Sequence, residues 1–128
     1  MKNFSDLNNL KILKFDDKNF IFKWYEFLKS YSMYTMRYDL DYHNLEKSQN
    51  FNKHLDLSFI VINDDEPLAI TPFVVDQNNL YAWYREGHFM PAPLINENLS
   101  SKQIKIIEKL IFDEVHKIIS RFKITRWY

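Results

Sequence analysis

Apolar residues recur at three- and four-residue spacing in two stretches of the chain. Phe20, Trp24, Phe27, Leu28 and Tyr31 form the first, which predicts a helix over residues 18–32 with one buried face. Asp16-Asp17 stands just before it, offering an N-cap and negative charge for the helix dipole. The second runs through Ile104, Ile107, Leu110, Ile111, Val115, Ile118, Ile119 and Phe122. Lys102, Lys105, Glu108, Lys109 and Lys117 fall largely off that stripe, as on the wet side of an amphipathic helix, and Ser100 or Ser101 is its predicted cap.

Between the helices the pattern turns to strands. Leu57 to Ile62 is rich in β-branched and aromatic residues. Asn63-Asp64-Asp65-Glu66 reads as a four- to five-residue hairpin connection, and Pro67 to Val75 as the returning strand. Pro72 interrupts that strand. Because proline cannot donate to a ladder, it predicts an edge position or a bulge there. Gln77-Asn78-Asn79 is a further turn, followed by a strand over Leu80 to Tyr84. Residues 10–15 suggest an opening strand, and Phe122 to Tyr128 the start of a last one. Residues 33–56 read as a loop and a short helix, and Arg85 to Leu99, with Gly87, Pro91 and Pro93, as irregular. The predicted order is β-α-(α)-β-β-β-α-β, an α/β (α+β) domain over residues 1–128 with a mixed, mostly antiparallel sheet.

Composition narrows the chemistry. Lysine plus arginine and aspartate plus glutamate both number 17, so the net charge is zero and a dedicated nucleic-acid surface is not expected. There is no cysteine, which excludes disulfides, thiolate metal sites and a cysteine nucleophile. A single glycine leaves little material for a glycine-rich phosphate cradle. The 11 Phe, 8 Tyr and 3 Trp supply ample core volume, with some rings to spare for a partner surface, though an AT-rich coding bias accounts for the same richness equally well. Met1 to Asp6 lacks the apolar run of a secretory signal, and no segment approaches the roughly 20 apolar residues of a membrane span. A cytoplasmic location without a membrane partner is the expectation.

Few residues offer chemistry. None of His43, His54, His88 and His116 has metal-ligand spacing, and no metal site is expected. His116 reads as a boundary residue of the long helix, and His43 and His54 as surface residues. His88 follows a predicted strand, where binding groups concentrate, and is a candidate general base; the plainer reading is a solvated loop histidine. Along Tyr81-Ala82-Trp83-Tyr84-Arg85, period 2 sends Tyr81, Trp83 and Arg85 to one face. Rings beside a guanidinium suit an interface or a stacked ligand, whereas a core role for Trp83 is the plainer alternative. Tyr84 joins His88 as an acid/base candidate, and Arg85 is the candidate anion binder. Asp64-Asp65-Glu66 lacks the ligand spacing and glycine of a calcium loop and reads as a solvated turn.

Three segments together resemble a known family. They are the helix Phe22-Lys23-Trp24-Tyr25-Glu26-Phe27-Leu28, the hairpin Leu57 to Ile62 followed by Pro67 to Phe73, and Met90-Pro91-Ala92-Pro93-Leu94 ahead of a long helix and Ile124-Thr125-Arg126-Trp127. With the element order, they resemble the first part of the GNAT acyltransferase fold. Within it they look most like the N-terminal half of FemAB-like proteins, the peptidoglycan-bridge aminoacyltransferases. The resemblance implies a partial fold, one half of a two-domain protein, with acyl-CoA or an aminoacyl-tRNA as donor. It departs at the donor loop: where the family usually has Q/R-x-x-G-x-G/A, this chain has Arg85-Glu86-Gly87-His88-Phe89-Met90-Pro91-Ala92-Pro93. Two prolines there remove N–H donors, so no cofactor is expected to bind this chain alone. The expected partner is a missing C-terminal domain or a second copy. The competing reading is a non-catalytic assembly module that forms a homodimer through an open sheet edge at Ile124 to Tyr128.

Overall fold

A computed structural model describes residues 7–31, 54–76, 81–82, 93–122 and 126–127. Among the described residues ten elements follow one another: β1 (Leu10–Lys14), α1 (Phe20–Ser30), β2 (His54–Asp56), β3 (Phe59–Asn63), β4 (Glu66–Thr71), β5 (Val74–Asp76), β6 (Tyr81–Ala82), β7 (Leu94–Ile95), α2 (Ser101–Phe122) and β8 (Arg126–Trp127). The strands form two four-stranded sheets, ordered β1-β3-β4-β7 and β2-β5-β6-β8. Every pair in the first is antiparallel. In the second, β6 and β8 run parallel. The chain is thus a mixed α+β protein. No helix among the described residues is long and apolar enough to cross a membrane.

The hairpin β3–β4 is the centre. Val, Ile, Phe and Leu dominate it, and all five residues of β3 are buried. Alternation divides its side chains between two covers. Ile60, Ile62 and Ile70 pack with Phe20, Trp24, Phe27 and Leu28 of α1. Phe59, Val61, Leu68 and Ala69 pack with Ile107, Ile111 and Val115 of α2. Leu68 and Ala69 are neighbours in sequence yet share a face. The register explains this: Val61 faces Ala69 but Ile62 faces Pro67, leaving Leu68 as the extra residue of a β-bulge.

The connection between β3 and β4 is tighter than the four or five residues expected. Only Asp64 and Asp65 lie between the strands, with φ of 49° and 66°. Positive φ at both positions is the two-residue hairpin turn whose twist matches the strands, and aspartate tolerates it better than most residues. The Asp64 carboxylate accepts from Asn9 Nδ2 at 2.7 Å, and Lys23 Nζ of α1 donates to the Asp65 carbonyl.

Pro72 acts differently from expectation. It is neither at an edge, since β4 lies between β3 and β7, nor at the bulge, which falls at Leu68. It ends β4, and the chain continues as β5 in the other sheet. The register is unchanged across the gap: Phe59 faces Thr71, and Asp56 faces Val74. Ser58 therefore stands opposite Pro72, where the ladder has no donor. The Ser58 hydroxyl accepts from Phe73 N–H at 3.0 Å, while Leu57 N–H donates to the Phe73 carbonyl at 2.7 Å. One long hairpin is thereby shared between two sheets.

Other boundaries also shift. Asp17 is not the cap of α1: its carboxylate accepts from Asn19 N–H at 2.8 Å, and Asn19 occupies the N-cap without a side-chain bond. Residues 54–56 are strand β2, not the end of a helix, and the rest of the expected short helix lies outside the described residues. Leu94–Ile95, expected to be irregular, pair with Ile70 and Ala69 as β7. At α2 the Ser100 hydroxyl accepts from Gln103 N–H at 3.2 Å and the Gln103 amide oxygen accepts from Ser100 N–H at 3.0 Å, a reciprocal capping box. Leu99 before the cap and Ile104 after it both join the α2 core, which fixes the entry angle.

Two outcomes follow for stability. Ser100→Ala removes the cap and lowers unfolding free energy by about 1 kcal/mol in urea titration. Asp65→Gly relieves positive φ and raises it by up to about 1 kcal/mol, since the position needs only backbone there; a loss instead would show that the Asp65 side chain matters.

Candidate functional site

The residues singled out as site candidates fall mainly outside the described residues: Trp83, Tyr84, Arg85 and His88 all do. Tyr81 lies in β6, where it faces Arg126 of the parallel strand β8. Among the described residues, no group of three His, Cys, Asp or Glu is placed to hold a metal ion. His116 is exposed on the outer face of α2, its ring 4.3 Å from that of Phe112.

A cleft that the sequence patterns did not announce lies where β1 ends, β3 begins and the second half of α2 crosses. Its cavity measures about 220 Å³. Leu57 and Phe59 line it from the approach to β3, and Ile118 from α2. Ser58, 1% exposed, is held there by its bond to Phe73 N–H. Lys14 and Asp16 reach the mouth from the end of β1, and Arg121 from the last turn of α2; all three are exposed.

The unusual member is Glu114. It lines the cleft yet is only 8% exposed, and among the described residues it forms no ion pair. At 100° per residue, Glu114 falls beside Ile107, just outside the arc formed by Ile107, Ile111 and Ile118, at the edge of the buried face. The spacing that identified the stripe also includes position 114, and that was the available signal. Its stem packs against the stripe while the carboxylate keeps contact with solvent, since its oxygens are not among the fully buried atoms without a hydrogen-bond partner. Nearby, Thr71 pairs with Phe59, and its hydroxyl oxygen is buried without a hydrogen-bond partner among the described residues.

Chemically the cleft combines apolar wall residues with side chains of both charges, Lys14 and Arg121 against Asp16 and Glu114. Among the described residues it holds no histidine and no metal cluster, and the Ser58 hydroxyl accepts from the backbone N–H of Phe73. Comparison with protein-family models, curated proteins and solved structures finds no match for the chain.

Glu114→Leu adds apolar area beside Ile107 and should raise unfolding free energy by about 1 kcal/mol in urea titration. A fall in stability would mean that a structural partner holds the carboxylate.

Proposed function

We propose that this chain is a GNAT-like domain related to acyl- or aminoacyltransferases, and that it contributes a half-site rather than a complete donor site. The observation that carries this reading is the path of the second half. Antiparallel strands lead into β6, the chain passes through α2, and β8 returns beside β6 and parallel to it. That path agrees with the order of elements on which the resemblance rests. Ligands of parallel sheets gather outside the carboxyl ends of the strands. Trp83, Tyr84, Arg85 and His88 follow the carboxyl end of β6 directly in the chain. In this reading Arg85 binds an anionic group of the donor, Trp83 and Tyr81 bind substrate, and His88 and Tyr84 move protons. The donor, acyl-CoA or aminoacyl-tRNA, is completed by a second domain because Pro91 and Pro93 deprive the loop of N–H donors.

A second reading has its own observation. β8 ends the order of the second sheet, with no strand beyond it among the described residues. Such an edge can pair with a second copy, making the chain an assembly module.

Calorimetric titration with acetyl-CoA, with light scattering on the same sample, separates the two. The half-site reading expects a monomer and no saturable heat from this chain alone. A stable dimer without heat favours the assembly module. Saturable heat that disappears in Arg85→Ala would place a whole donor site here and overturn the half-site.

A further inference from the structure

We propose that the outer face of α1 docks on the surface of an anionic lipid bilayer, a reading independent of the transferase proposal. It rests on the side of the helix opposite the core. Phe20, Trp24, Phe27 and Leu28 hold α1 against Ile60, Ile62 and Ile70, so the orientation of the helix is fixed. At 100° per residue, Phe22 stands about 160° from both Phe20 and Trp24, turned away from that contact. Phe22 is 69% exposed and Ile21 beside it 64%, the two most exposed large apolar side chains among the described residues. Tyr25, one turn on from both, is half-buried and continues the apolar surface. Single exposed apolar residues are ordinary, but adjacent ones on the wet side of a helix serve neither packing nor solubility.

The charges around them have one sign. Lys18 lies in the turn before α1 and Lys29 in its last turn, so they stand at the two ends of a shallow hollow that Ile21, Phe22, Tyr25 and Glu26 also line. Both lysines are exposed, and neither forms a hydrogen bond or ion pair among the described residues. Lys23 meets Glu26 at 3.6 Å, which offsets the acid among the lining residues. The charge left over is that of Lys18 and Lys29. Lys18 stands ahead of the helix N-terminus, where the dipole disfavours a cation, so helix stability does not account for it.

Cations at both ends of an apolar pair fit a surface that is negative outside and apolar beneath. The ammoniums meet lipid phosphates while Phe22 and Ile21 enter the boundary between headgroups and acyl chains, a level that suits a tyrosine as well. A second copy is less suited, because two such faces bring like charges together. A peptide is less suited too: the described side chains around the hollow all come from α1 and its lead-in turn, so they form a ridge, whereas a bound segment needs a groove between walls. Such a contact needs no spanning helix. It therefore differs from the expectation of no membrane partner, which rested on spanning segments alone. One short helix with two lysines makes it weak and reversible.

Sedimentation of the full chain with vesicles tests this. The protein should partition onto vesicles of equimolar phosphatidylcholine and phosphatidylglycerol but not onto phosphatidylcholine alone, and binding should fall as salt rises. Phe22→Ser should weaken it about tenfold or more. Lys18→Gln with Lys29→Gln should weaken it about thirtyfold, at ~1 kcal/mol for each lysine. All three side chains are exposed, so the variants keep the fold, which urea titration checks. The comparison of the two lipids uses the unaltered protein and does not depend on them. The proposal is overturned if the protein ignores the anionic vesicles, if it binds neutral ones equally, or if the variants bind as the parent does. Light scattering without lipid is the companion measurement: a dimer that Phe22→Ser disperses would assign the face to a second copy and overturn the proposal as well.

Discussion

Burial of β3 and β4 on both faces governs the architecture. A hairpin exposed on one side needs a single cover, but Ile60 and Ile70 look one way while Phe59, Val61 and Ala69 look the other. Each set needs an apolar helix face, and α1 and α2 supply them. The backbone of the hairpin must also be paired laterally, since buried N–H and C=O groups without partners are costly. β1 flanks β3 on one side, and the two residues of β7 flank β4 on the other. Rings carry much of the α1 side: Trp24 and Phe27 are fully buried, and Phe20 lies 5.3 Å from Trp24 between ring centroids.

The same hairpin carries two departures from regularity, and each has a consequence. The bulge at Leu68 puts two consecutive apolar residues under α2, and the Leu68 carbonyl accepts from Asn96 N–H at 2.8 Å just beyond β7. The opening at Ser58 and Pro72 passes the hairpin from one sheet to the other. The substitution of a serine hydroxyl for a missing backbone partner keeps the register while the ladder is interrupted. The cleft sits at this opening: Leu57, Ser58 and Phe59 line it, and α2 crosses above them with Glu114 turned inward. A local defect in a β ladder thus becomes a concave surface, which an unbroken pair of strands would not offer.

Lys14, Asp16, Glu114 and Arg121 bring charges of both signs to one cleft whose other walls are largely apolar. The parallel return of β8 beside β6 gives β6 a carboxyl end that Trp83, Tyr84, Arg85 and His88 follow directly in the chain.

Much of the fold was legible in the pattern of residues. The buried faces of α1 and α2 match the periodic positions of Trp24, Phe27, Ile107, Ile111 and Val115, since a helix turns at a nearly constant angle and its inward face follows from spacing alone. The cap at Ser100 and the hairpin around Asp64-Asp65 were equally local, set by side chains that bond to backbone within three residues or tolerate positive φ. What spacing could not give was any feature depending on a distant partner. β2 and β7 are too short to declare themselves, and exist because Val74–Asp76 and Ala69–Ile70 are there to pair with them. Pro72 announced an interruption, but only the strand opposite it, with Ser58 at the matching register, decided that the chain would change sheets. Glu114 lay at the edge of the apolar stripe in the sequence as it does in the fold. Its surroundings were decided by tertiary structure, because only the meeting of β1, β3 and α2 leaves a cavity at that point of the helix.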